Sequence, residues 1–279
     1  MQKERTVLTA KRKQEIELEA MQLADEYFPD TNPIKPELIA KAEGIKWTFN
    51  DYNRDFKGII VFKNGSFHIH LDTYYGSNMQ VPMVRYSLAH ELGHYFLDEQ
   101  RKTLIELGSM PHAVGNLMVD TVFEKEAEYF ASCLLMPSNR FIACIAGHNF
   151  STWLIHHICK TFKVSLTAAL TRYVSLGEEP VMAIYTKTNG LFDYKMASKG
   201  FPHFNLNLQA GNKIPSLSIA GRYCYHGNAD FKTNNILPAH IWFIPKTEAN
   251  ARRMYREECQ LQQNLNRIIS VVYEVKEQY

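Results

Sequence analysis

His90-Glu91-Leu92-Gly93-His94 sets two imidazoles four residues apart, with a carboxylate directly after the first. On a helix, side chains at i and i+4 stand one turn above each other on one face, so both rings can reach a single ion. The pair suits Zn2+, which imidazole nitrogens bind at about 2.0–2.1 Å. Glu91 would lie beside the ion without ligating it, placed to take a proton from a water that the ion activates. This chemistry is metal-assisted hydrolysis, and the spacing is that of a zinc peptidase. The plainer alternative is two histidines on an unremarkable helix, so the neighbouring residues carry weight.

Those neighbours predict a helix. Val84, Leu88, Leu92 and Tyr95, with Ala89 and Phe96, recur at helical intervals between Val81 and Leu97, and Pro82 suits a first turn. The stretch reads as amphipathic. A catalytic zinc takes three protein ligands and keeps one position open, so a further ligand is expected downstream. The run from Glu124 to Met136 is rich in helix formers and stops at Pro137. Positions 124, 127, 128, 131 and 135 form one stripe, which combines two acids with Ala127, Ala131 and Leu135. The small alanines allow close approach to the histidine-bearing helix. Glu124 is the expected third ligand, and Glu128 is placed to accept the spare N–H of a ligating imidazole. Glu126 points about 160–200° away from both and is expected on a solvated face. A two-residue shift in register would make Glu126 the ligand instead.

The two blocks, from Arg85 to His94 and from Glu124 to Pro137, together resemble the ImmA/IrrE family of metallopeptidases. The second is the more distinctive, with its acid-x-acid-Ala-polar-x-Phe-Ala run and Leu-Leu-Met-Pro ending. The resemblance implies a zincin-like fold, a His-His-Glu zinc site with the helix glutamate as base, and a helix-turn-helix repressor as substrate. Glu128 stands where the family more often has Asn or Asp, and the connection from Tyr95 to Phe123 is long.

The chain must also hold these residues in place. At 279 residues with 46% hydrophobic content it can bury one good core or two modest ones, and two domains are expected. The fold class is α+β. Residues 1–178 are expected to form the metallopeptidase domain, helices plus a small antiparallel sheet, and 179–279 a β-rich domain. A net charge of +2 gives no global field towards nucleic acid or an anionic membrane, so direct nucleic-acid binding is not expected. The five cysteines are odd in number and contain no Cys-x-x-Cys pair, which suits reduced, buried thiols. No apolar leader or 18-residue apolar window occurs, so the expected location is cytoplasmic, away from membranes.

The remaining elements can be placed coarsely. Residues from Lys11 to Tyr27 read as a first helix, and Pro36 to Ala42 as a short second one. Gly58 to Phe62, Asn64-Gly65, and Phe67 to Leu71 form a hairpin pattern with a type I′ turn. Its exposed edge is a place for an extended substrate. His68 and His70 share a face of its second strand, as a site or as ordinary solvent-side polar residues. Arg85 is left without a role. Residues from Thr103 to Thr121, with His112, are expected to cross the cleft as a loop. Residues 150–176 resemble a helix-turn-helix outline, but the second helix, from Leu166, carries one basic residue, Arg172, so packing is favoured over DNA contact. His156 and His157 cannot face one ion from a helix. Beyond Gly177-Glu178-Glu179-Pro180, strands are expected near Val181 to Thr186, Phe192 to Met196, Ser216 to Ala220 and Ile241 to Ile244, and a helix over Ala249 to Gln263. Cys224, His226 and His240 lack a ligand spacing.

The expected activity is therefore a zinc endopeptidase acting on a repressor. The rival is a regulatory protein-binding module that keeps the zinc site with little proteolysis. The intact Glu91 counts against the rival, because a structural zinc needs no base.

Overall fold

Thr9 accepts the backbone N–H of Arg12 at 3.2 Å and starts α1 (Ala10–Tyr27), which buries Ile16, Ala20, Leu23 and Ala24. Residues 8–109, 120–202, 205–227 and 234–275 are described by the computed structural model. They divide into two units: the described residues of Met1–His148 with Trp153–Ala169, and those of Asn149–Thr152 with Leu170–Tyr279. No helix among them is long and apolar enough to cross a membrane.

In the first unit, α2 (Pro36–Ala42) leads into β1 (Lys46–Asn50), β2 (Gly58–Lys63) and β3 (Ser66–Asp72). Asn64 and Gly65 both have positive φ, 53° and 76°, as a type I′ hairpin requires. The strand order is β1-β3-β2. β2 pairs antiparallel with β3, but β1 pairs parallel with it, so the sheet is mixed rather than wholly antiparallel. The chain returns after β1 to form β2 on the far side of β3, which leaves β1 and β3 running the same way.

Four helices follow: α3 (Pro82–Phe96), α4 (Asp98–Leu107), α5 (Asp120–Leu135) and α6 (Ser138–Ile145). α3 packs against α2, α4, α5, β2 and β3. It is more than amphipathic. Besides Val84, Leu88 and Leu92 it buries Arg85, Ser87, Glu91 and His94, and several of these polar groups have specific partners described below. α7 (Thr152–Phe162) and α8 (Leu166–Leu176) are joined by Lys163-Val164-Ser165, where Ser165 Oγ caps α8 through the N–H of Ala168 at 3.2 Å. Arg172, the only basic residue of α8, is buried. The fold is α+β.

The second unit is an antiparallel sheet in the order β5-β4-β10-β9-β7, built from β4 (Val181–Lys187), β5 (Phe192–Ala197), β7 (Asn234–Pro238), β9 (Met254–Gln262) and β10 (Arg267–Glu274). β6 (Asn205–Leu206) pairs with β8 (Phe243–Ile244), and α9 (Ile219–His226), α10 (Ala239–Trp242) and α11 (Glu248–Ala251) are short. Met182, Ile184, Trp242, Tyr255, Ile268 and Val272 form part of its core.

In this half two sequence expectations fail and a third, the strand from Ile241 to Ile244, holds only for Phe243 and Ile244. Ser216 to Ala220 is not a strand; Ser218 caps α9 by accepting the N–H of Gly221. Ile241 and Trp242 close α10 before β8 begins. The helix expected over Ala249 to Gln263 is only α11, followed by β9. Tyr255, Glu257 and Cys259 alternate inward along β9, and the acid among them hides the period of two. Pairing with β7 and β10 overrides the helix propensity of its Glu, Gln and Arg residues.

Candidate metal centre

α3 presents His90 and His94 one turn apart, and α5 brings Glu124 opposite them. His90 Nε2 lies 3.1 Å from His94 Nε2 and 3.2 Å from Glu124 Oε2, and His94 Nε2 lies 3.3 Å from Glu124 Oε1. Ligands at about 2.0–2.1 Å around a tetrahedral ion are separated by roughly 3.3 Å, so the two imidazole nitrogens and the carboxylate, one oxygen towards each ring, have spacings of the size a zinc site needs. Among the described residues these three form the group able to hold a metal ion.

The approach of α5 depends on small residues. A Cβ at Gly93 would stand 3.1 Å from Ala127 Cα and 3.2 Å from Phe130 Cδ1. Hydrogen at 93 and methyl at 127 and 131 bring the carboxylate within reach of the imidazoles.

Glu91 is buried and keeps out of the ligand cluster. Its Oε2 accepts the backbone N–H of Ile60 at 2.9 Å, and a Cβ on Gly58 would come within 3.0 Å of its Oε1. β2 thus fixes the carboxylate on one side. The same strand edge was expected to bind an extended substrate, yet its N–H groups at Ile60 and Phe62 are already engaged, the latter by Gly108 O at 2.7 Å.

Charge shapes His90. Burial opposes its protonated form, but the hydrogen bond to Glu124 and the charges of Glu91, Glu124 and Glu128 outweigh that and raise its pKa. Tyr86, one turn earlier, has its ring 6.5 Å from that of His90. Burial, then the charges of Glu128 and Glu124, push its pKa up, so it stays a donor. Sequence reasoning passed over it.

The carboxylates of α5 part company from the expected pattern at two positions. The spare nitrogen of His94 is met by Gln100 Oε1 at 2.6 Å, not by Glu128. Glu128 is exposed, and its carboxylate makes no hydrogen bond to either imidazole among the described residues; its influence on His90 is through charge. Glu126 is neither solvated nor a ligand. It is buried, paired with Arg12 Nε at 2.6 Å and Nη2 at 2.9 Å, and accepts Gln100 Nε2 at 2.9 Å. An acid two positions from a ligand looks solvated in sequence because its partners lie 26 and 114 residues away.

The other singled-out residues lie elsewhere. His68 and His70 stack at 4.5 Å and share Thr48 Oγ1, while His70 also meets Tyr52 OH at 2.8 Å. Arg85 is a buried brace: it donates to Ile34 O at 2.6 Å and to Lys163 O, just past the end of α7, at 3.2 Å. His157 stacks on exposed Trp153 at 5.3 Å. Of the expected crossing from Thr103 to Thr121, the first residues belong to α4, while 110–119, with His112, lie outside the described residues.

A His-Glu-x-x-His helix facing a carboxylate from a later helix, beside a small sheet, defines a domain of peptidase-like, zincin-like build. Residues 68–173 match the model of the peptidase M78 family, described as the IrrE N-terminal-like domain, which is consistent with the ImmA/IrrE resemblance of the sequence. A solved structure described as a Mycobacterium tuberculosis transcriptional regulator is similar in fold, with a TM-score of 0.59 over 95% of this chain and 78% of that one, at 12% identity. No curated protein matches the chain by sequence.

Proposed function

We propose that this protein is a zinc-dependent endopeptidase whose substrate is a protein, a helix-turn-helix transcriptional repressor, cleaved to relieve repression. The observation that carries the hydrolytic part is the spacing of His90 Nε2, His94 Nε2 and Glu124 Oε2 and Oε1, within 3.1–3.3 Å, beside a carboxylate left out of the cluster. His90, His94 and Glu124 would hold the ion, which supplies Lewis-acid activation of water and of the scissile carbonyl. Glu91 accepts the proton of the attacking water and delivers it to the leaving amine. The Ile60 N–H holds that carboxylate in place during both transfers. Proteolysis is favoured over a zinc-bearing binding module because the base is built in and oriented by β2.

The repressor rests on the family and on the description of the similar fold as a transcriptional regulator. A DNA-contacting role through α7 and α8 has little support, since α8 exposes no basic side chain. The test combines elemental analysis with cleavage of purified helix-turn-helix repressors. Glu91→Gln is expected to keep one equivalent of zinc and lose turnover by about 100-fold or more. Equal cleavage by wild type and Glu91→Gln sinks the peptidase assignment.

A further inference from the structure

One series of buried polar contacts reaches the ligand cluster from behind. Arg12 on α1 donates to both oxygens of Glu126, Gln100 Nε2 donates to Glu126 Oε2 and to Phe123 O at 3.3 Å, and Gln100 Oε1 meets His94 Nδ1. The donor directions are forced. A guanidinium only donates, while an ionised carboxylate and a carbonyl only accept, so the amide NH2 of Gln100 must face Glu126 and Phe123. Its oxygen is then left for His94, whose Nδ1 must carry the hydrogen. In the neutral ring the lone pair falls on Nε2, the atom that faces His90 and Glu124.

We propose that Gln100, Glu126 and Arg12 are positioning residues of the metal centre, which fix the tautomer and ring plane of His94. The inference rests on the zinc reading above. Gln100 and His94 are fully buried and Glu126 nearly so, so the series is little loosened by water. Only a side chain with both a donor and an acceptor end can join a carboxylate to an imidazole N–H, and Gln100 has both. Arg12 precedes the family-matched stretch of 68–173, so α1 belongs to the metal centre although the family pattern does not reach it.

The test measures zinc affinity of the full-length protein by competition with a chromophoric chelator, together with Co2+ absorption and Tm. Gln100→Leu is expected to weaken zinc binding about 10–100-fold and to shift the Co2+ bands. Arg12→Gln is expected to weaken binding several-fold in the same direction, with Arg12→Lys recovering most of the loss. Glu257→Ala, in the second unit, serves as a control that lowers Tm without altering affinity. Zinc affinity within about twofold of wild type in both Gln100→Leu and Arg12→Gln overturns the proposal. Should Gln100→Leu not fold, Arg12→Gln, on a partly exposed helix position, decides alone. A wild type that takes up no zinc overturns the zinc reading and this proposal together, whereas a zinc-loaded wild type with unaltered variants overturns this proposal only.

Discussion

Glu126 in the first unit and Glu257 in the second are both buried carboxylates, and they differ in where their partners lead. Glu257 accepts the N–H groups of Ile219 and Ala220 at the start of α9, the Ser270 hydroxyl at 2.9 Å and the Cys259 thiol at 3.1 Å. Those contacts tie a helix start to two strands and, among the described residues, close on themselves where Cys259 meets Ser270. Glu126 accepts Gln100, whose other end meets His94, whose other nitrogen faces His90 Nε2 and Glu124 Oε1. A closed set of hydrogen bonds contributes stability, while an open series carries orientation to an atom that does chemistry. Burial of an acid therefore says little about its role until the second polar end of each partner is followed.

The contrast can be broken most severely at the open end. Structural zinc binding is worth about 10–16 kcal/mol in small peptides, so removal of one ligand of three in His94→Ala should cost on the order of 3–5 kcal/mol of binding, seen as loss of stoichiometric zinc by elemental analysis. At the closed end, Glu257→Ala leaves buried donors without an acceptor and should lower stability by about 3 kcal/mol in denaturant unfolding, with zinc content unchanged. If Glu257→Ala also lost zinc, the two carboxylates would not be separable in this way.

A finer probe separates base from ligands. Gly58→Ala places a methyl against Glu91 and should reduce turnover about 10–100-fold while leaving zinc affinity intact. The smallest effect is that of pH. A raised pKa means that His90 gains its Glu124 interaction in the protonated state. In the metal-free protein that contribution is fully present below the unfolded-state value of 6.5 and is lost as pH rises through the folded-state value. Zinc must displace the same proton, so its affinity should weaken up to about tenfold per pH unit below the folded-state value, read by chelator competition. An affinity flat across that range would mean that His90 is not a ligand.

The grouping of His90, His94 and Glu124 was legible in the sequence because helical spacing is local: residues 90, 91 and 94 fix one another, and the small residues at 127 and 131 mark the face that α5 turns inward. The hairpin was legible for the same reason, through Asn64 and Gly65. Gln100 and Arg12 were not. Each has the composition of a surface position, a polar residue among charges, and only the packing of α1 against α5 and of α4 against α3 turns them inward. β9 failed in the opposite sense, because Glu257 is an acid in a core position and nothing near it in the chain announces the helix start it serves. Glu128 was misjudged by reach: it lies on the predicted stripe, but Gln100 already holds the nitrogen of His94.

Gly93 lies between the histidines and ligates nothing, yet it acts as the gauge for the whole cluster. The gap between the two central helices is what one hydrogen atom leaves, so the distance from Glu124 to the two imidazoles is governed at a residue outside all three. Widening that gap by a single methyl would push Ala127 and Phe130 back and draw the carboxylate away from the rings.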